Sequence, residues 1–527
     1  MDTVTTEQVF ISQVMGPYLY PFLIMPIVGL IFSLMLSLKK GQSASKLNYA
    51  LLVLTQLCLL GLSGLLHFSF LPQLELNNAM GVKLAWFPEM GIYFDIGVDS
   101  LSSTFLLFAQ LGFLLISLFL GRFYSEQKQV SYLTLTYLVM LSVNGTYLAQ
   151  NFIFFYLFWE LVLIPILIMV AIGNIENYRA SLLKFFLITF AGSICMLASI
   201  LVLAVMQHQT TGVWSFAFTD LINVPGLQSM SGLWIMLGFF VSFAIKGHVF
   251  PFHTWLPQLY EKSPLPVLFL VSGVLFNMAC YGFLRFFPTY FVWPLTQTPW
   301  GDALAYLGAF GIIYGAWVAL AQTDARRMLA YLSVSHVGYF VFAIFSKNGF
   351  AFYGSLMQTS IHSLIAIGLL GIFVPLFIHT PTHGHHLTHW RGLAKTYPAF
   401  AIFAFVLCMS AVALPGTHGF VGEFAILLGA FQEKVGPTLV ALGGVVLGAL
   451  VVLKFFQQLF WGELNDSQAF EVGGAQLVFS KRFIVAALIS ILLCLVIGLA
   501  PSIWFETSEA NLIAIANKVK FFTGKSL

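Results

Sequence analysis

The chain has 527 residues, 59% of them hydrophobic and 8% charged, with a formal net charge of +3. Soluble domains carry about 25% charged residues, so a water-soluble globule is excluded. The small positive excess is spread over links without a basic patch or interleaved aromatic cluster, which excludes a nucleic-acid partner.

Long apolar runs recur along the whole chain, each near the roughly 20 residues that a helix needs to cross the hydrocarbon; about 14 meet that length. Strand alternation of the outer-membrane-barrel kind is absent. The expectation is an all-α, polytopic transmembrane helix bundle of about 14 helices. Cys58, Cys195, Cys280, Cys408 and Cys494 fall in apolar runs without metal-ligand spacing and read as small buried hydrophobes. The 55 phenylalanines read as lipid-facing and core side chains.

The N-terminal MDTVTTEQVF is acidic and polar and predicts no cleavable signal peptide. Runs near 17–37 and 48–71 are joined by KKGQSASK, a basic link that favours the cytoplasm and puts the N-terminus outside. Residues 72–100 are mixed, and alternation in GIYFDIGVDS predicts a short hairpin on the outer face. Runs near 101–120, 131–149 and 152–173 follow. The last contains NFIFFYLFWELVLIPILI, with Glu160 at its centre and Pro165 beyond. A carboxylate there has to be protonated, paired across helices or wetted. In the next run, near 180–205, Lys184 sits a turn or two inside, where snorkelling and function account for it almost equally.

The stretch around which the chain is organised is FFVSFAIKGHVFPFHTWLP, residues 239–257. An apolar run is interrupted by Lys246, Gly247 and His248, then by Pro251, His253 and Pro257. A charge at bilayer depth costs at least about 2.5 kcal/mol and usually faces a wet or protein-lined interior. Broken backbone at that depth is tolerated only where it lines a cavity or is buried in protein. The pattern points to an ion path; the alternative is a lysine that snorkels from a helix end. A run near 265–287 contains Asn277, and others lie near 301–321, 328–346 and 350–378. The TDARRM link carries paired arginines of cytoplasmic type. His336 and His362 stand alone in apolar helices, where each is either a satisfied packing residue or a proton relay. The link 379–395 holds His379, His383, His385, His386 and His389, but no cysteine or carboxylate joins them, which argues against a metal site.

A second broken element follows in FAFVLCMSAVALPGTHGFVGEFAILLGAF. Pro415 and Gly416 interrupt it, His418 and Gly419 extend the break, and Glu423 lies just after it. Two Gly/Pro-interrupted apolar segments, each with a charge, are the mark of a duplicated transporter core. The last runs, near 437–460 and 482–505, include Lys454. The tail from 506 carries Lys518, Lys520 and Lys525; an even number of runs puts it outside with the N-terminus, against the preference of those lysines.

Taken as a set, NFIFFYLFWELVLIPI, LLKFFLITFAGS, FAIKGHVFPFHTWLP, DARRMLAYLSVSHVGY and ALPGTHGFVGEF resemble the M-type antiporter-like membrane subunits of respiratory complex I, the NADH:quinone oxidoreductase. GVDSLS at 97–102 and RGLAK at 391–395 extend the resemblance over residues 85–465. It implies two inverted five-helix repeats, here 131–290 and 300–463, between N-terminal helices with an outer hairpin in 1–130 and a C-terminal helix and tail in 464–527. It implies a buried polar axis and proton pumping driven by quinone reduction in another subunit, so that the chain belongs to an enzyme without holding a redox centre. Carried over by position, Glu160 corresponds to the glutamate that pairs with Lys246, Glu423 to the terminal glutamate, His362 to an axis histidine and Lys184 to a lysine of the family. His336 joins them as a relay, with His248, Asn277 and Lys454 as links along the axis.

One departure stands out: the resemblance implies a lysine in the helix after HTWLP, where this chain has Asn277, and Gln258 and Lys262 stand where Asp and Glu are usual. An asparagine can hold a water but cannot store a proton. The expected partners are other membrane subunits of the same complex, the lipid bilayer and protons, with no cofactor in this chain. The expected place is a bacterial inner membrane or another energy-coupling membrane such as a thylakoid. The rivals are a multi-subunit cation/proton antiporter subunit, the membrane part of an inorganic-carbon uptake module or of a membrane hydrogenase, and a membrane scaffold, which would not explain two charged, broken helices.

Overall fold

The computed structural model describes residues 6–38, 42–70, 80–121, 126–379, 391–462, 477 and 479–504. Helices α1 (Thr6–Ser37) and α2 (Gln42–Leu65) lead to an antiparallel hairpin of β1 (Met80–Phe87) and β2 (Ile92–Val98). The hairpin expected over 72–100 is present and turns at Gly91, whose φ of +68° suits a residue without a Cβ. Next come α3 (Ser100–Leu120), α4 (Glu126–Leu148), α5 (Phe152–Leu161), α6 (Leu163–Gly173) and α7 (Tyr178–Thr211). The break between α5 and α6 follows from Pro165, which cannot donate to the carbonyl four residues back and crowds it.

A short α8 (Phe218–Leu221) precedes the first interrupted helix, α9 (Met230–Lys246) and α10 (Leu256–Lys262). One long helix then runs as α11 (Leu265–Leu270), a π-helical turn (Val271–Leu275) and α12 (Phe276–Tyr290). After α13 (Val292–Gln297) come α14 (Trp300–Leu320), α15 (Ala325–Phe345), α16 (Gly349–Gly371) and α17 (Phe373–His379). The short α18 (Leu393–Thr396) leads to the second interrupted helix, α19 (Pro398–Ala411) and α20 (His418–Glu433), and the described chain closes with α21 (Val435–Phe460) and α22 (Lys481–Leu499).

The fold is a helical membrane bundle. Eleven described helices are long and apolar enough to cross a membrane, fewer than the runs expected from the sequence. The others fall on α4, whose apolar residues are interspersed with Ser, Thr, Tyr and Asn144, and on the interrupted helices, whose longer pieces have 17, 14 and 16 residues. The best windows of 265–290 and 349–376 consist wholly of buried residues, whereas only about a third or fewer of the residues in those of α1 and α21 are buried. An inner column of α3, α11–α12, α15 and α16, which carries Asn277, Arg285, His336 and His362, is therefore wrapped by more exposed helices.

Lipid offers no hydrophobic drive between helices, so close backbone approach has to supply the attraction. α14 and α15 achieve it through glycines: a Cβ on Gly308 would lie 2.5 Å from the Phe342 nitrogen, and one on Gly315 2.4 Å from the Ser335 nitrogen.

The bundle has two distinct ends. At the hairpin end, Ile96 bridges Ala149, Asn151 bridges Ala217, and Asp302 pairs with both Lys347 and Lys434. At the opposite end Arg326 donates to the carbonyls of Ser263 at 3.0 Å and Tyr260 at 3.4 Å, and Arg327 to Glu261 at 3.4 Å. Helix alternation places Lys46, Arg179, Lys395, Lys481 and Arg482 at this second end as well. It is the basic end, which the positive-inside rule assigns to the cytoplasm.

Asp95 on β2 faces Lys83 across the hairpin and lies near Asp220. Burial is the main cause that raises its carboxyl from 3.8 to about 6; Asp220 adds to the rise and Lys83 opposes it. The folded chain then binds this proton more tightly than the unfolded chain does, so the stability from Asp95 is complete below about pH 4 and lost as pH rises through about 6. Asp95→Asn is expected to stabilise the purified protein at pH 8 by on the order of 1 kcal/mol, after allowance for partial exposure, and to be neutral near pH 4. Thermal unfolding at the two pH values checks this; an equal shift at both would refute it.

Candidate proton path through two interrupted helices

Lys246 is the last residue of α9, at the end where aligned carbonyls favour a cation. Its Nζ donates to the Trp159 carbonyl at 2.6 Å and lies 3.7 Å from the centre of the Trp159 ring. Glu160, the next residue, accepts from the Ser193 hydroxyl of α7. The two charges are thus bonded elsewhere, and they share a cavity of about 10 Å3 lined also by Thr189 and Trp255. Such a space holds about one water, so a cavity lies where the resemblance implies a pair.

Both helix breaks are built alike. After α9, His248 N donates to Ile245 O at 3.1 Å and Val249 N to Ala244 O at 2.8 Å. After α19, Ala413 N donates to Ser410 O and Leu414 N to Met409 O, both at 3.0 Å. This is the paired C-terminal bonding of a left-handed cap, and its left-handed residue is His248 at φ +47° in one break and Ala413 at φ +58° in the other. Gly247 and Pro251 lie within the first break, and Pro415 and Gly416 within the second, where Gly416 has φ +89°.

Beyond the first break the polar groups continue inward. His248 is buried and neither ring nitrogen is hydrogen-bonded. Its ring is 5.3 Å from that of Phe276, which in turn is 5.1 Å from that of His362. His362 Nδ1 lies 3.1 Å from His336 Nδ1, and His336 Nε2 lies 3.8 Å from a Glu423 oxygen. Gln358 Nε2 donates to the same Glu423 oxygen at 3.3 Å. The structure therefore brings His362, His336 and Glu423 from three helices into one buried series. His418 begins α20 and bonds the Ser410 hydroxyl across the second break.

Residues 149–450, more than half of the chain, match the family described as NADH:quinone oxidoreductase/Mrp antiporter, TM. The chain belongs to this antiporter family. It is 32% identical over 448 residues to NADH-quinone oxidoreductase subunit M of Escherichia coli K12, covering 83% of this chain and 85% of that relative. It is 33% identical over 431 residues to the subunit M of Rhodobacter capsulatus, covering 80% and 81%. Among solved structures, a chain of respiratory complex I from Thermus thermophilus with bound NADH superposes with a TM-score of 0.80 at 29% identity, covering 96% of this chain and all of that one. A chain of the Mrp complex from Dietzia shares the fold, with a TM-score of 0.80 at 19% identity over 95% of this chain and 99% of that one. The M-type resemblance carried by the motifs is borne out.

Two cations of this antiporter-family chain stand apart from the series. Lys184 Nζ donates to the Thr254 carbonyl at 2.9 Å and ties α7 to the first break. Lys454 Nζ donates to the carbonyls of Leu320 at 2.7 Å and Gln322 at 3.3 Å, closing the end of α14. Asn277 is fully buried with neither amide atom hydrogen-bonded. Of the histidine-dense link, His383, His385, His386 and His389 lie outside the described residues; among the described residues no group of three metal-ligating side chains occurs.

Sequence reasoning missed the most deeply buried ion pair among the described residues. Arg285 of α12 donates through Nη1 to Asp99 and through Nη2 to Gln150 at 3.0 Å, with both charged side chains almost wholly buried. The signal was there, since an arginine deep in ACYGFLRFF requires a counter-charge, and GVDSLS offers one.

Proposed function

We propose that the chain is the proton-translocating M-type membrane subunit of an NADH (or ferredoxin):quinone oxidoreductase, working between other membrane subunits of that complex in a bacterial inner membrane. The observation that carries this reading is the series across both interrupted helices: half-buried Glu160 and buried Lys246 around one cavity, then buried His248, the His362–His336 pair and Glu423. A change in a neighbouring subunit that draws Glu160 from Lys246 removes the partner that favours the charged lysine, and a proton is released along the axis. Moving a charge against 100 mV takes about 2.3 kcal/mol, within the range of one buried pair interaction. Glu423 serves as the far acceptor, and Asn277 as a passive link. The chain needs no cofactor of its own for this, because quinone is reduced in another subunit. The matching caps of the two breaks support the reading of 131–290 and 300–463 as repeats.

Asn277 favours a second reading, a relative such as the membrane part of an inorganic-carbon uptake module or a membrane hydrogenase. Proton pumping in inverted vesicles containing the parent complex tests the main one. Glu423→Gln is expected to lower the protons moved per quinone reduced at unchanged subunit content. A wild-type ratio in that variant would remove Glu423 from the path.

A further inference from the structure

A group of buried hydroxyls outside the series above lies near the basic end. Tyr260 lies in the last turn of α10, almost wholly buried, beside Glu261 and Lys262, whose side chains are about a third exposed. Its hydroxyl bonds Ser272, which donates onward to the Leu268 carbonyl at 2.7 Å. Ser272 belongs to the π-helical turn, a wider turn that often marks a functional position in a helix. Ser333 of α15 lines the same cavity as the Tyr260 and Ser272 side chains, and His336 follows three residues later on the same face. Tyr260, Ser272, Ser333, His336 and His362 line one cavity of about 10 Å3, room for about one water. Arg326 fastens α10 to α15 through the carbonyls of Tyr260 and Ser263, fixing the two walls.

Resting on the proton-axis reading, we infer that Tyr260, Ser272 and Ser333 form a lateral inlet that carries protons from the basic end directly to the His336–His362 pair. Phenol and serine hydroxyls both donate and accept, as a relay requires. One proton reaching the Tyr260 oxygen releases that oxygen's own proton to Ser272 or Ser333. The serine passes its proton to a water in the cavity, and the water protonates a ring nitrogen of the pair. Every oxygen ends with the protons it began with, no electron moves, and the pair gains one positive charge. The two Nδ1 atoms at 3.1 Å share a single hydrogen in the neutral pair, so the added proton is a distinct, storable state. This route bypasses Asn277, which cannot store a proton, and so accounts for a working axis without a lysine there.

The test is proton pumping in inverted vesicles holding the whole complex, followed with a pH-sensitive acridine dye and normalised to electron transfer and subunit content. The variants are Tyr260→Phe and the double variant Ser272→Ala with Ser333→Ala, compared with His336→Ala and Glu423→Gln. The expected result is that Tyr260→Phe and the double variant lose the same share of protons per quinone as His336→Ala, and that threonine at both serine positions restores it. Wild-type ratios in the hydroxyl variants, with His336→Ala and Glu423→Gln lowered, would overturn the inlet and leave the axis standing. Wild-type ratios in all four would overturn both, and failure of threonine to restore pumping would mean that the serines only hold the helices.

Discussion

Lys246→Ala is expected to abolish proton translocation by this chain while quinone reduction in the assembled complex continues. The lysine is the only cation that faces the cavity shared with Glu160 among its lining residues, and it sits at the carbonyl end of α9, bonded to Trp159 at 2.6 Å. Alanine leaves the cavity beside Glu160 without a cation among its lining residues and the path without its first proton store. With each 1.4 kcal/mol worth a factor of ten, losing a few kcal/mol of pair interaction slows transfer by about a hundredfold or more. Lys246→Arg separates charge from proton release, because a guanidinium keeps its proton at any physiological pH. It is expected to assemble like wild type and still fail to pump. Proton-to-quinone ratios in inverted vesicles, with subunit content measured by immunoblot, decide the matter, and wild-type pumping in Lys246→Arg would sink the proposed role.

Arg285→Ala is expected to destabilise the chain by about 3–5 kcal/mol, the usual cost when one partner of a buried ion pair is removed. Asp99, left behind, is fully buried and caps α3 through Ser102. Arg285 also holds Gln150, whose backbone donates to Asp95 of the hairpin at 3.1 Å, so one guanidinium ties α12, α3 and the hairpin together. The expected outcome is a strong fall in accumulated protein for Arg285→Ala and for Asp99→Ala. The neutral double variant Asp99→Asn with Arg285→Gln should recover part of it, since no unpaired charge remains. Protein yield and thermal unfolding in detergent measure this; a single variant as stable as wild type would refute it.

The lysine stretch and its counterpart were legible because their signals are local. Gly247 and Pro251, and Pro415 with Gly416, cluster next to a charge inside an apolar run, so Lys246 before one break and Glu423 after the other could be read directly from the chain. The pairing of His336 with His362 was not legible, because each histidine alone is equally a packing residue and their contact joins two helices. Lys184 and Lys454 read as candidates of the same kind as Lys246, and all three donate to backbone carbonyls, yet only Lys246 of the three also lines the cavity shared with Glu160. Composition cannot distinguish a lysine that neutralises a helix end from one that faces a cavity.

By itself the sequence determined a helical membrane chain with two charged interruptions, because lipid imposes a span length and forbids unsatisfied backbone outside helices. Only the tertiary structure decided which polar side chains meet. Asp99 and Arg285 are 186 residues apart, and Tyr260, Ser272 and Ser333 come from separate helical elements. Those meetings depend on the register and rotation of one helix against another, which close backbone contacts set across the bundle and which no local pattern encodes.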